Sequence, residues 1–268
     1  MSIIPPISPP ATTAAPEIVY PSSDGRPLAE TPLHRDVLVT MIEVLDKHYT
    51  ADPMVYVSGN MLVYYEKGNK RKHVSPDVFV VKGIPKDKRR DYFLVWEERN
   101  PDLVIEITSK STQDEDQTDK LALYRDVLQV SEVILFDPRG EYLVPRLKGY
   151  RLRDGRYETI TAVTGGKLPS DVLGLQFEAD GHDLRLYDPI TRRRLTTQKE
   201  DKAAAETFAE AQRKVAEAQR QRAEAERKRA DEQESRAEVQ RKLAAEQQLE
   251  IERLRREIEL LKGTPRAQ

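Results

Sequence analysis

The chain has 268 residues, with 44 Lys and Arg against 46 Asp and Glu, and its formal net charge is −2. It contains no cysteine, which excludes disulfides, thiolate metal sites and cysteine nucleophiles, and the balanced charge argues against a uniformly basic nucleic-acid-binding protein. The sequence shows neither the pattern of a secretory leader nor an apolar run of membrane-spanning length, so we expect a cytoplasmic protein.

The composition changes along the chain and divides it into four parts. Eight of the 17 prolines fall within the first 32 residues, and proline removes backbone donors, so we expect no regular structure before about Ile18. We predict a proline-rich disordered arm over residues 1–27, a folded domain over residues 28–196, a long charged helix over residues 197–262 and a tail over residues 263–268.

The folded domain alternates helical and strand patterns. Apolar residues at spacings of three and four predict a helix over residues 33–49, and a capping-box pattern at Thr112 and Glu115 predicts a second over residues 113–128. Short apolar runs predict strands over residues 54–57, 62–66, 77–81, 93–96, 103–108 and 132–136. Further short strands are predicted after these, up to Tyr187. This order predicts an α/β fold with a mixed sheet flanked by helices.

Two carboxylates interrupt the apolar strands. Glu106 lies within an otherwise apolar strand, and Asp77 directly precedes another. A carboxylate on a covered sheet costs several kcal/mol unless a cation, a metal or hydrogen-bond donors compensate it. Two such carboxylates and a substrate phosphate would suit Mg²⁺. A purely structural role is also open, in which Asp77 caps a turn and Glu106 pairs with Lys120 or a core tyrosine.

The second predicted helix carries polar residues at a spacing of four. Asp116, Lys120 and Tyr124 therefore share one stripe of that helix. If the helix packs beside the Glu106 strand, Lys120 could hold an attacking water or stabilise phosphate charge, and Tyr124 could position Glu106 by a hydrogen bond. An aromatic residue at this spacing is also typical of a helix that faces a core.

Several motifs occur in the order typical of one nuclease family. They are Val74–Val81, Asn100–Thr112, Asp116–Tyr124 and Val133–Pro138. With these motifs the region from about Leu28 to Asp188 resembles the bacterial Uma-two family of restriction-endonuclease-like proteins, in the PD-(D/E)XK nuclease superfamily. Some members of that family have similar alanine-rich, charged tails. The resemblance implies a restriction-endonuclease-like fold and metal-dependent cleavage of DNA.

The resemblance also implies roles for single residues. Asp77 matches the aspartate of the Pro-Asp motif and Glu106 the acidic residue of the (D/E)XK motif, so both would ligate Mg²⁺, or Mn²⁺ in its place. Thr108 stands where that motif has lysine, and the family is thought to use a lysine on the following helix, which matches Lys120. Two further candidates lie near the first helix: Glu30, which would match an early acidic residue, and His34.

The long helix has a seven-residue repeat. Alanine recurs every seven residues from Ala209 to Ala244, and Ile251 and Ile258 continue the same register, which is typical of a coiled coil. Through most of the helix this seam also contains Gln and Glu, which bury little apolar area. A solvated single helix and a coiled-coil homodimer therefore both remain open.

Two classes of function follow. The first is a Mg²⁺-dependent DNA endonuclease that uses Asp77, Glu106 and Lys120. The second is a nuclease-like protein that binds nucleic acid or a partner and is assembled through its coiled coil, as the Thr108 departure favours. Three basic clusters, at residues 71–73, 86–90 and 192–194, could bind phosphates or could simply be solvated loops.

Overall fold

The structure is a computed structural model that describes residues 18–25, 31–86, 90–109 and 117–262. The chain divides into two units, and the boundary between them in the sequence lies between Thr197 and Gln198. In the first unit the described helices are α1 (Pro32–His48) and α2 (Asp119–Asp126). Its described strands are β1 (Val55–Ser58), β2 (Val63–Tyr64), β3 (His73–Val74), β4 (Val78–Lys82), β5 (Phe93–Leu94), β6 (Leu103–Ile107), β7 (Glu132–Phe136), β8 (Leu147–Arg153), β9 (Arg156–Thr159), β10 (Leu168–Ser170), β11 (Leu175–Asp180), β12 (Asp183–Asp188) and β13 (Arg193–Arg194).

A six-stranded mixed sheet forms the centre of the first unit. Its strand order is β1-β4-β6-β7-β8-β9, with β6 and β7 parallel and the other neighbours antiparallel. A four-stranded sheet, β10-β11-β12-β13, and a three-stranded sheet, β3-β2-β5, accompany it. The predicted α/β class with a mixed sheet is confirmed.

Alternation along the strands gives the central sheet two apolar faces. On β6, Leu103, Ile105 and Ile107 pack in one core with the buried side of α1. Val104 points the other way, into a second core that contains Tyr124 of α2. Both faces are therefore covered, which explains why β6 is completely buried although it carries the charged residue Glu106.

A short N-terminal segment packs on the three-stranded sheet. Residues 18–25 form neither helix nor strand, yet Tyr20 is only 7% exposed. Its ring lies 4.8 Å from the ring of Tyr64 and 5.4 Å from that of Trp96. The Tyr64 hydroxyl donates to the Pro21 carbonyl at 2.7 Å. This part of the proline-rich arm is thus held by aromatic packing, without regular hydrogen-bonded structure.

The second unit is one long helix, α3 (Gln198–Lys262), of 65 residues. Along this helix Glu and Lys pair at a spacing of four, with Nζ–Oε1 distances of 2.7 Å for Glu210–Lys214 and 2.9 Å for Glu238–Lys242. Ile251 and Ile258 are about half exposed, at 50% and 51%. No helix within the described part of the chain is long and apolar enough to cross a membrane. The long helix is as predicted, and its assembly into a coiled coil stays a prediction.

Candidate functional site

The backbone brings Asp77 opposite Glu106. Val78 of β4 pairs with Ile105 of β6 in an antiparallel register, and continuing that register by one residue sets Asp77 across from Glu106. The turn after β1 packs against the same point, because the Asn60 N–H donates to the Pro76 carbonyl at 2.9 Å. Gly59 lies so close that a Cβ at this position would be 2.0 Å from the carbonyl oxygen of Asp77. Only glycine leaves the Asp77 backbone in this place.

Two donors hold the Asp77 carboxylate. The Ile107 N–H donates to Oδ2 at 2.6 Å, and Nε2 of His34 lies 3.1 Å from Oδ1. His34 reaches this position from the first turn of α1, where its N–H donates to the Oγ1 of the capping residue Thr31 at 3.3 Å. The Asp77 side chain keeps 15% of its surface exposed. The carboxylate is thus oriented between α1 and β6 and still reaches solvent.

Glu106 is completely buried and carries two partners from α2. Nζ of Lys120 lies 3.0 Å from its Oε2, and the Tyr124 hydroxyl donates to Oε1. The spacing of four on α2 therefore places both side chains toward the same carboxylate. The Lys120 side chain is 15% exposed, so its ammonium lies between the buried carboxylate and the surface.

Thr108 is committed to the sheet. Its N–H and its hydroxyl both donate to the Phe136 carbonyl, at 2.8 Å and 2.9 Å, which extends the parallel pairing of β6 with β7 by one residue. The side chain is buried. Thr108 therefore closes the end of the sheet and provides no cation beside Glu106, whereas Lys120 does.

Of the eight candidate residues from the sequence, the structure brings six to one end of the central sheet, namely His34, Asp77, Glu106, Thr108, Lys120 and Tyr124. Glu30 and Asp116 lie outside the described residues. Sequence reasoning missed Gly59 and the N–H of Ile107 as groups that fix Asp77. The Gly-Asn pair at 59–60 is the local signal that marks this turn.

The donor set offers hard oxygen ligands. Mg²⁺ commonly takes one or two carboxylates and completes its shell with waters and substrate phosphates, so Asp77 and Glu106 fit such an ion. Among residues 18–25, 31–86, 90–109 and 117–262, no group of three or more His, Asp or Glu side chains lies in a metal-binding arrangement. An ion here would therefore need oxygen ligands beyond the described protein side chains.

Two other buried acids are satisfied structurally. Arg151 and the Ser170 hydroxyl hold Glu132, with Nε–Oε1 and Oγ–Oε2 distances of 2.9 Å and 2.5 Å. Asp137 accepts backbone N–H groups from four residues of the loop that follows β7, namely Arg139, Gly140, Tyr142 and Leu143. Burial raises the pKa of Asp137, but these donors outweigh it and hold the pKa below its ordinary value. The oxygens of both acids are thus engaged in holding nearby backbone and side chains in place.

The comparison with family models supports the resemblance indicated by the motif order. The family model described as "Uma2: Putative restriction endonuclease" matches residues 12–184. Among solved structures, the chain is similar to a "putative nuclease belonging to DUF820" from Anabaena variabilis, with 16% sequence identity and a TM-score of 0.40, over 54% of this chain and 75% of that one. No curated protein matches the sequence.

Proposed function

The chain belongs to the Uma2 family, and from this membership and the geometry around Glu106 we propose that it is a divalent-metal-dependent endonuclease that hydrolyses phosphodiester bonds in DNA. The observation that carries the proposal is one buried carboxylate with a lysine 3.0 Å away, set opposite a second, partly exposed carboxylate. That combination offers ligands for a hard cation and an ammonium for phosphate charge.

In this proposal Asp77 and Glu106 hold Mg²⁺, and Mn²⁺ can replace it. An ion held there would supply Lewis acidity toward the scissile phosphodiester. Lys120 holds an attacking water or stabilises charge on the phosphate. Tyr124 orients Glu106 through its hydroxyl, and His34 orients Asp77 through Nε2. Because the position of the ammonium decides its electrostatic effect, a helix lysine replaces the strand lysine whose place Thr108 takes.

The test is cleavage of supercoiled and of single-stranded DNA with Mg²⁺ or Mn²⁺. Asp77→Asn and Glu106→Gln should each lower the cleavage rate by more than about 100-fold, because each removes a charged ligand. Glu132→Gln is the matched control, since Glu132 is buried to the same degree as Glu106 but belongs to a structural network. Wild-type cleavage rates in both site variants would refute the proposed site.

A second function rests on the closed network around Glu106. Lys120 and Tyr124 already compensate this carboxylate, so the network is also complete as a structural feature. In that case the domain would bind nucleic acid or a partner without cutting, and α3 would assemble it. Folded wild-type protein that neither cleaves DNA nor binds Mg²⁺ in calorimetry would favour this alternative.

A further inference from the structure

One hairpin, which ends three residues before Asp77 in the chain, concentrates positive charge. This basic hairpin, residues 63–74, consists of β2, β3 and the turn between them. It contains a single acid, Glu66, and four cations that are all exposed: Lys67, Lys70, Arg71 and Lys72. The Oε1 of Glu66 accepts the side-chain amide of Asn69 at 3.0 Å. The hairpin therefore carries a strong net positive charge.

The four cations have no carboxylate partner among the described residues. Several other cations of the first unit are paired with acids, although Arg156, Arg192 and Arg193 are not paired within the part of the chain that the structure describes. Lys86 pairs with Asp46 at 3.3 Å, Arg90 with Glu98 at 2.5 Å, and Arg151 with Glu132 at 2.8 Å. A cluster of uncompensated cations repels itself unless an anion lies beside it. The basic hairpin thus presents a surface that favours a polyanion.

Contacts with Tyr20 and hydrogen bonds within the turn hold the backbone of the hairpin in place. The Gly68 N–H at its turn donates to the Tyr20 hydroxyl at 2.7 Å, and the Tyr20 ring packs on Tyr64 of β2. The turn itself is closed by backbone hydrogen bonds from Asn69 to Glu66 and from Lys72 to Asn69, both at 3.2 Å. The cations therefore project from a fixed backbone, which lowers the entropy cost of binding an extended ligand.

Both strands of the hairpin connect directly to the candidate site. β2 begins three residues after Asn60, and β3 ends three residues before Asp77. A chain of five residues spans at most about 18 Å, so the backbone of Lys72 lies within that distance of Asp77. One strand of a DNA duplex carries a phosphate about every 3.4 Å along its axis, so a duplex at Asp77 would place several phosphates within reach of the hairpin.

We propose that the basic hairpin binds the phosphate backbone of DNA beside the candidate active site, an inference that rests on the proposed function. Lys70 and Lys72 neutralise phosphates as point charges, and Arg71 does so through bidentate hydrogen bonds from its guanidinium. These contacts go to the backbone, so they orient the duplex over Asp77 and Glu106 without reading its sequence.

The test measures binding of full-length protein to a fluorescent duplex of mixed sequence by anisotropy, in EDTA, at several salt concentrations. The variant K70Q/R71Q/K72Q should bind at least ~10-fold more weakly at 0.1 M salt. The slope of log K against log salt should become shallower by about 0.9 for each lost contact, up to about 2.7. Thermal melting establishes that the variant is folded.

The matched control removes the same charge elsewhere. Arg156 on β9, Arg193 on β13 and Arg192 just before β13 are exposed and unpaired within the described part of the chain, so R156Q/R192Q/R193Q lowers the net charge by the same amount. Weaker binding in the hairpin variant alone supports the proposal. Equal losses in both variants, or no measurable binding by wild type, would overturn it.

Two further measurements test whether the ligand is DNA and whether binding at the hairpin is independent of cleavage. An effect that appears only with duplex RNA, or competition by polyglutamate as strong as by unlabelled DNA, would overturn the assignment to DNA. Binding in EDTA does not depend on cleavage. If the hairpin variant binds DNA more weakly but the wild type never cleaves, the endonuclease proposal is refuted and the hairpin proposal stands. If cleavage needs Glu106 but the hairpin variant binds DNA as tightly as wild type, the hairpin proposal is refuted and the endonuclease proposal stands.

Discussion

Gly59→Ala tests whether the backbone position of Asp77 matters for the reaction. The new Cβ would lie 2.0 Å from the Asp77 carbonyl oxygen and 3.0 Å from Cδ1 of Ile42. Real Cβ contacts essentially never fall below 3.0 Å, so the turn and the start of β4 must separate by at least 1 Å. Overpacking of this kind costs about 1–3 kcal/mol of unfolding free energy.

The effect on cleavage should exceed the effect on stability. A displacement of about 1 Å in a catalytic group costs roughly 100-fold in rate, and here the displaced residue is a proposed metal ligand. We therefore expect a rate about 100-fold lower and a higher Mg²⁺ concentration for half-maximal activity. DNA cleavage at varied Mg²⁺ measures both, and urea unfolding measures stability.

Gly149→Ala is the matched control for this prediction. The nearest atoms to its Cβ would belong to core side chains, with 3.0 Å to Cδ1 of Ile160 and 3.2 Å to Cδ1 of Ile134. It should lower stability but leave the Mg²⁺ dependence unchanged. If Gly59→Ala cleaves like wild type at every Mg²⁺ concentration, Asp77 does not act from the position that the structure gives it, and the site assignment is refuted.

Three more outcomes are expected. Lys120→Met leaves the buried Glu106 carboxylate without its cation, so urea unfolding should show a loss of about 3–5 kcal/mol. The double variant Glu106→Gln/Lys120→Met should recover most of this lost free energy of unfolding. A double variant that recovers none of it would contradict the ion pair between Glu106 and Lys120. Asp137 has a lowered pKa, so its stabilisation is present above its unfolded-state pKa and is lost as pH falls through the folded-state pKa. The stability deficit of Asp137→Asn should therefore be constant from about pH 7 to pH 5 and shrink below about pH 4; a deficit that grows in acid would reverse this sign. Ile251→Asp/Ile258→Asp should convert a dimer into a monomer in analytical ultracentrifugation if α3 forms a coiled coil, and an unchanged mass would remove that prediction.

The parts of the site that follow local periodicity could be predicted from the sequence. Helical spacing predicts that Lys120 and Tyr124 share one stripe of the second helix, and strand alternation sets Glu106 within an apolar strand. Their contact follows only if that helix packs beside the strand. The second helix was predicted over residues 113–128, and the structure describes it as Asp119–Asp126, with residues 110–116 outside the described residues. Local pattern thus predicts the helix and its polar stripe, whereas the contact with Glu106 depends on how α2 packs on β6.

Contacts between distant residues could not be predicted in this way. His34 and Asp77 are 43 residues apart, and their approach depends on how α1 crosses the sheet. The close contact between Gly59 and Asp77 depends on the pairing of β1 with β4. Tyr20 lies in a proline-rich segment whose composition indicates no fixed structure, but its ring finds partners that are formed only by the folded three-stranded sheet. These features depend on tertiary packing, which no local spacing encodes.

The packing of Trp96 against the N-terminal segment gives this protein a built-in spectroscopic probe. Trp96 is the single tryptophan of the chain, and its ring lies 5.4 Å from that of Tyr20, whose hydroxyl accepts the N–H of Gly68 in the basic hairpin. Selective excitation of tryptophan therefore reports on this corner of the domain rather than on the whole chain. Release of residues 18–25 should shift the emission to longer wavelength before global unfolding, and DNA bound at the hairpin should change the emission without any added label.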